Sequence, residues 1–313
     1  MDASQVTVVV PTLNEEKAIG RVIDELKANG FDDILVVDGH SKDRTREIAE
    51  EKGARVILQR GKGKADAIAT VVDHINRPFV IIMDGDWTYP AYEIPRLLEL
   101  MFINDQVIGA RVKGRENIPL LNRLGNRIIT FVFNMLFGTR LSDVCSGMYA
   151  VRLERLREVD FTTKNFGIEV EIAASVASMG GRVADVPIEY RKRIGKSKLD
   201  EGRLGSVGSG ISIALDCFRL ALRYNPMFLL FGLSSLMLIP GLVLGAWVGY
   251  ELVIHGIKHY VWGIIASVFA CTGLVSLMLA GLSLYLKRIE IRMRRFVKEV
   301  KELVQSTHMY KEE

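Results

Sequence analysis

Two hydrophobic patterns divide the chain. Through the first ninety residues, short apolar runs at Val6–Val10, Ile34–Val37 and Pro78–Met83 alternate with amphipathic, helix-forming stretches at Glu16–Asn29 and Thr45–Lys52. Runs this short and rich in β-branched residues read as strands buried on both faces of a parallel sheet, in the order β-α-β-α-β. The fold class is therefore α/β, doubly wound. Such sheets bind ligands beyond the C-terminal ends of their strands, so chemistry is expected in the polar turns that follow each run.

The second pattern lies near the C-terminus. No charged side chain occurs in the 24 residues from Met227 to Tyr250, or in the 26 from Val261 to Leu286. A bilayer core of about 30 Å needs roughly 20 helical residues, so both runs can span it as a hairpin. Pro240 and Gly241 interrupt the first run, and the link Glu251–Tyr260 carries Lys258 as its only Lys or Arg. Between Ser206 and Tyr224, apolar residues mix with Asp216, Arg219 and Arg223, a pattern that fits an amphipathic helix in the headgroup region. Arg219 and Arg223 precede the hairpin, while Lys287, Arg288, Arg292, Arg294, Arg295, Lys298 and Lys301 follow it. The positive-inside rule then places both termini in the cytoplasm. The segment before Val6 lacks the charged and apolar regions of a signal peptide.

Composition agrees with a membrane protein: 313 residues, 49% hydrophobic, with a mean hydropathy of +0.19. The net charge of +4 is too slight for a nucleic-acid footprint. Cys145, Cys217 and Cys271 are widely separated, which fits neither a disulfide framework nor a structural zinc site. The five histidines, His40, His74, His255, His259 and His308, show no ligand spacing.

Three polar turns carry the candidate chemistry. Pro11-Thr12-Leu13-Asn14-Glu15-Glu16 and Asp38-Gly39-His40-Ser41-Lys42-Asp43-Arg44-Thr45 each admit a plain reading as loop and helix-cap residues. Asp38, at the tip of a buried strand, suits a hydrogen bond to a base or ribose. Gly61-Lys62-Gly63-Lys64 is either a phosphate cradle or an exposed basic loop. Asp84-Gly85-Asp86 follows an apolar strand, and paired acids there suit a hard divalent cation, Mg²⁺ or Mn²⁺, shared with a diphosphate.

Together these motifs resemble family 2 glycosyltransferases of the GT-A fold, in particular the dolichyl-phosphate mannose synthases and the archaeal dolichyl-phosphate hexose synthases. The resemblance runs from Val6 to Leu199. It includes Gly109-Ala110-Arg111, Leu121–Arg127, Asp143-x-x-Ser146-Gly147, and Val186-Pro187-Ile188 followed by Arg191, Arg193, Ser197 and Lys198. It implies a nucleotide-sugar site at Pro11, Leu13, Asn14, Glu15, Asp38, Lys64, Asp84, Gly85 and Asp86, with Mn²⁺ or Mg²⁺ on Asp84 and Asp86. Acceptor phosphate or donor diphosphate would meet Arg111, Arg123, Arg127, Ser146, Arg191, Arg193, Ser197 and Lys198. Leu13, Thr88 and the Tyr190–Lys198 stretch depart from the mannose synthase pattern.

The implied reaction is inverting transfer of a hexose to dolichyl or polyprenyl phosphate, for N-glycan or cell-envelope glycan synthesis. GDP-mannose is the favoured donor, with UDP-glucose or UDP-N-acetylglucosamine as alternatives. A phosphate acceptor is already charged near neutral pH, its second pKa being about 6, so no strong base is required. Asp143 then orients an arginine or borders the acceptor channel. Extension of a lipid-linked saccharide would instead make it the base. Asn122, Arg123, Asn126 and Arg127 share one helix face, and Glu169 and Glu171 are either near the site or buried partners of arginines. A membrane protein that only binds nucleotide sugars is opposed by the intact acid pair. The expected organisation is a cytoplasmic GT-A domain over 1–204, an interfacial helix over 205–225, a transmembrane hairpin over 226–287 and a basic cytoplasmic helix over 288–313. The oligomeric state stays open.

Overall fold

The structure, a computed structural model, describes residues 2–161, 167–195, 215 and 217–309. It divides into two units, Met1–Arg219 and Leu220–Glu313. Ser197 and Lys198, together with most of the expected interfacial helix, lie outside the described residues.

The first unit is built on a seven-stranded sheet. Its strands are β1 (Val6–Thr12), β2 (Ile34–Asp38), β3 (Arg55–Leu58), β4 (Phe79–Ile82), β5 (Gln106–Lys113), β6 (Tyr149–Arg152) and β7 (Val183–Glu189). The order across the sheet is β3-β2-β1-β4-β6-β5-β7. Every pair is parallel except those of β6, which runs antiparallel to both β4 and β5. The wholly parallel expectation thus holds for the first four strands, and the complete sheet is mixed.

That reversal has a consequence for chemistry. Tyr149, at the start of β6, lies opposite Ile82 at the end of β4 and opposite Ile108 of β5. The chain entering β6, 142–148, therefore arrives at the same sheet edge as the turns leaving β1, β2 and β4. β7 is parallel to β5, so the residues after Glu189 leave at that edge as well.

Helices α1 (Ile19–Ala28), α2 (Thr45–Glu51), α3 (Lys64–Val71), α4 (Ile94–Leu100), α5 (Leu120–Phe137), α6 (Leu153–Arg157) and α7 (Ile168–Ser178) complete the unit. α1 buries Ile19, Val22, Ile23 and Leu26, the i, i+3, i+4, i+7 stripe of a helix packed on a sheet. β3 and α3 were not expected from the pattern: Arg-Val-Ile-Leu forms a short, part-exposed strand at the edge of the sheet.

The second unit contains α8 (Pro226–Tyr250), a π-helical turn at Glu251–His255, and α9 (Tyr260–Met309). The stretches Pro226–His255 and Tyr260–Glu290 are long and apolar enough to cross a membrane, with mean hydropathies of 2.3 and 2.1. They are only 11% and 22% buried, unlike core helices of a soluble protein. The two helices touch through small residues. A Cβ on Gly241 would strike the Ala270 backbone, one on Gly273 would strike Leu238, and Ser234 Oγ donates to the Gly273 carbonyl at 2.9 Å. Beyond the apolar run, α9 continues through the basic segment without a break.

Candidate active site

Among the described residues, three that are not glycine have positive φ: Asn14 at 55°, His40 at 65° and Trp87 at 71°. One lies in each of the turns after β1, β2 and β4. Strain of this kind is retained where the surroundings over-determine it, as they do here. The Asn14 amide donates to Ser41 Oγ at 2.9 Å, Asn14 Oδ1 accepts from the Lys42 amide at 2.9 Å, and the Glu15 amide donates to Thr45 Oγ1 at 2.8 Å. The first two turns are thus laced together.

Asp38 ends β2 with no exposed surface. Its Oδ2 accepts from the Ser41 amide at 2.9 Å, and the Arg46 guanidinium stands 3.8 Å away. Its Oδ1 is buried without a protein partner, as is Thr12 Oγ1 on the neighbouring strand. An orphaned carboxylate oxygen is costly unless a ligand donates to it. Pro11 and Leu13 are half-buried on the same turn, and Glu15 is buried.

The Asp84-Gly85-Asp86 turn is held in a web of opposite charges. Lys64, the first residue of α3, places Nζ 2.5 Å from Asp84 Oδ1 and 2.6 Å from Glu169 Oε1. Burial works against its charge, but Asp84 and Glu169 outweigh burial and hold its pKa well above the ordinary lysine value. Asp86 accepts from Thr88 Oγ1 at 2.5 Å and pairs with Arg193 Nη1 at 3.0 Å, while Arg193 Nη2 pairs with Glu15. Burial, followed by the Asp84 charge, raises the Asp86 pKa. Gly147 packs against this turn so closely that a Cβ there would strike Asp84 Oδ2. Two hard oxygen donors side by side, each paired with a cationic side chain, fit a divalent cation bound together with a diphosphate.

A second charged cluster lies deeper. Arg111 on β5 is forked onto Asp143, Nε to Oδ2 at 2.6 Å and Nη2 to Oδ1 at 2.9 Å, and Nη2 also donates to the Cys145 carbonyl at 3.0 Å. Both side chains are over nine-tenths buried. Asn126 of α5, with its amide oxygen turned toward Arg111, accepts from Nη2 at 3.1 Å. Burial opposes the Arg111 charge, while Tyr89 and Asp143 hold it, so its pKa is raised. Its guanidinium carbon lies 5.5 Å from the Tyr190 ring centre, and Tyr190 meets Tyr89 edge-on at 5.3 Å. The Tyr89 hydroxyl accepts from the Gly147 amide at 2.7 Å, which joins this cluster to the acid turn.

The remaining candidates separate. Ser146 is wholly buried, with Oγ 3.5 Å from the Tyr89 hydroxyl, so its neighbour Gly147 is the residue that meets the acids. Arg191 forks onto Glu25 at 2.9 and 3.0 Å and stacks over Trp87 at 4.8 Å and Tyr92 at 5.4 Å. Arg123 is half-buried and Arg127 exposed on α5. Sequence reasoning left Gly147, Tyr89 and Tyr190 out of the site, and of its two readings of Glu169 the one near the site holds, with Lys64 and not an arginine as the partner. Glu169 reaches Lys64 across 105 residues, and no local spacing encodes such a contact.

Glycosyl transferase family 2 matches this chain over residues 7–159, which carry both turn motifs, the acid pair and Arg111–Asp143. Over 282 residues the chain is 36% identical to glycosyltransferase AglJ of Haloferax volcanii, covering 89% of this chain and 92% of that one. The chain belongs to glycosyl transferase family 2. A second relative, the dolichyl-phosphate hexose transferase of Haloferax volcanii, is 40% identical over 222 residues, covering 69% of this chain and 95% of its own. Glucosyl-3-phosphoglycerate synthase of Mycobacterium tuberculosis, solved with phosphoglyceric acid, shares the fold with a TM-score of 0.54 at 23% identity, covering 68% of this chain and 79% of that one. As a family 2 member, the chain is a glycosyltransferase, and the β6 reversal belongs to its GT-A-type sheet.

Proposed function

We propose that this glycosyltransferase moves a hexose, with inversion, from a nucleotide diphosphate to the phosphate of a dolichyl or other polyprenyl monophosphate at a membrane surface. The observation that carries this reading is the Asp143–Arg111 fork. Both Asp143 oxygens are engaged by Arg111, which makes Asp143 the residue that orients this arginine, and that role suits an acceptor that arrives already deprotonated and needs no base. Arg111 Nη1 makes none of those bonds and remains for a phosphate oxygen.

In this reading the base and ribose lie against Asp38 and the turn at Pro11–Glu15, where Asp38 Oδ1 awaits a donor. Asp84 and Asp86 would hold a divalent cation, Mn²⁺ or Mg²⁺, and that cation would supply charge neutralisation for the departing diphosphate. Lys64 and Arg193 leave the acids as donor binds and turn to its phosphates. Arg111, fixed by Asp143, Cys145 and Asn126, holds the acceptor phosphate in line with the anomeric carbon. α8 and α9 span the bilayer, with the catalytic unit and both termini on the cytoplasmic side, supported by the basic residues that flank the hairpin.

GDP-mannose is the donor that the motif resemblance favours. One observation favours a uridine nucleotide instead. Asp38 has a single orphaned oxygen, which matches the one imide N–H of uracil, whereas guanine offers two parallel donors. The test is transfer from labelled GDP- and UDP-sugars to dolichyl phosphate in detergent, with Mn²⁺ and with a chelator. Product from one donor, lost on chelation, supports the reading and names the sugar. Transfer only to a lipid-linked saccharide would overturn it.

A further inference from the structure

Tyr149 opens β6 and is wholly buried, yet its hydroxyl has no hydrogen-bond partner among the described residues. A hydroxyl shut away from water in this way is costly, and phenylalanine would fill the same space without that cost. Tyr89, buried almost as deeply, shows the contrast: its hydroxyl accepts from the Gly147 amide at 2.7 Å. A polar group retained without a partner in one arrangement of a site calls for a second arrangement in which it has one.

The sheet sets Tyr149 beside the acid turn. It pairs with Ile82, two residues before Asp84, and it follows Gly147 by two residues, where a Cβ would lie 3.2 Å from Lys64 Nζ. The charges that act on its hydroxyl are, in falling order, those of Glu169, Lys64 and Asp84. Burial and the Glu169 charge hold its pKa well above the ordinary tyrosine value, so it keeps its proton and stays a hydrogen-bond donor. Glu169 is the group that such a donor fits. The glutamate side chain is only 15% exposed, and its Oε1 accepts from Lys64 Nζ at 2.6 Å while the same Nζ stands 2.5 Å from Asp84 Oδ1.

In the function proposed above, Lys64 yields Asp84 to the cation and turns to the diphosphate. An ammonium shared with a diphosphate gives Glu169 less than it gives now, and a largely buried carboxylate that loses part of its counter-charge needs another donor. The carboxylate turns easily about its last torsion, and the tyrosine O–H rotates while its ring stays fixed in the sheet. We infer that Tyr149 is a positioning residue of the donor-bound state, its hydroxyl donating to Glu169 as Lys64 swings from Asp84 to the diphosphate. The lysine can then move without stranding a buried acid. The inference rests on the donor and cation assignments above and adds to them the group that makes the movement of Lys64 tolerable.

The test is nucleotide binding by the full chain in detergent, read by titration calorimetry with UDP and with GDP, each with Mn²⁺. Tyr149→Phe should leave the unfolding temperature of the ligand-free chain unchanged or raise it, since the hydroxyl bonds to nothing there. It should weaken binding of the preferred nucleotide about tenfold, the worth of one hydrogen bond to a charged group. In a Glu169→Gln background the same substitution should cost no more than about twofold, because the charge that the hydroxyl serves is gone. Equal affinity in the Tyr149→Phe and natural chains, or a tenfold loss that persists beside Glu169→Gln, would overturn the inference. Failure of the natural chain to bind either nucleotide would instead defeat the donor assignment, and this inference with it. Lys64→Met gives a second reading that needs no ligand and holds even if Glu169→Gln does not fold. Without the lysine, Tyr149 should already bond to Glu169, so adding Tyr149→Phe should lower the unfolding temperature by about 4 °C. A Tyr149→Phe effect that is the same with and without Lys64 would mark a packing residue and overturn the assignment.

Discussion

Two ion-pair clusters stand side by side in the catalytic unit and are built for opposite behaviour. The pairs Lys64–Asp84, Lys64–Glu169 and Arg193–Asp86 are partly open to solvent, and each basic group is shared between two acids. Each basic group can therefore keep one acid while it yields the other to a ligand. The Arg111–Asp143 fork is buried, bidentate and backed by a backbone carbonyl. A pair like that is strongly destabilising to break and has one geometry. In the proposed function the difference separates a site that must rearrange, where donor and cation would enter, from a site that must not, where the acceptor would be aimed.

The comparison breaks most sharply at the acid turn. Asp84→Asn or Asp86→Asn should lower sugar transfer by about 10³-fold, because charge on the leaving diphosphate is no longer neutralised. Thermal unfolding should change little, since each substitution relieves the repulsion that helps raise the Asp86 pKa. A variant that kept most of its transfer would remove the acids from the reaction.

At the other cluster the order reverses. Asp143→Asn leaves the buried Arg111 charge without its counter-ion and should cost about 3–5 kcal/mol, read as a lowered denaturation midpoint. The residual transfer should keep its pH dependence. The rate should fall as pH drops through the second ionisation of the acceptor phosphate, near pH 6, because the protonated phosphate is the poorer nucleophile. If that limb vanished in the variant, Asp143 itself would be the titrating base.

Gly147→Ala sharpens the contrast from the junction of the two clusters. The new methyl would strike Asp84 Oδ2, the movable end of a side chain, while the Gly147 amide still bonds to Tyr89. Folding should be nearly unaffected, and transfer should fall by about 10²-fold from misplacement of one cation ligand. An equal loss of stability would show Gly147 to be a packing residue.

What the sequence made legible follows the same division. β1, β2 and β4 are continuous apolar runs, so the strands and the turns beyond them could be read directly, and Asp38, Asp84 and Asp86 stand where strand-end chemistry requires. The proposed acceptor side is assembled from distant pieces, α5, the 142–148 segment and the chain after β7, brought to one edge by the antiparallel β6. Nothing local in Tyr149–Arg152 declares its direction. Glu169 and Tyr190 were illegible for the same reason, since their partners are fixed by topology and not by spacing. The exposed apolar positions of α5 are interleaved in sequence with Asn122, Arg123, Asn126 and Arg127, so their common arc shows only once the helix is formed.

Arg191 gives the smallest expected effect and the finest discrimination. As one of several arginines after β7 it resembles a phosphate ligand, but its fork is spent on Glu25 and its plane on Trp87 and Tyr92. Those contacts tie the chain after β7 to α1 and to the strained residue Trp87 in the acid turn, which makes Arg191 a positioning residue. Arg191→Lys retains the charge but loses the fork and the stacking, and at this partly exposed position it should cost about 1 kcal/mol. KM for the lipid phosphate should stay within twofold, while kcat falls modestly as the acid turn loosens. A residue that gripped the acceptor would do the reverse, raising KM with kcat preserved. The same substitution at Arg111, where the fork is buried, should disturb both constants, so the pair of variants tells which arginine reaches the substrate and which one holds the turn.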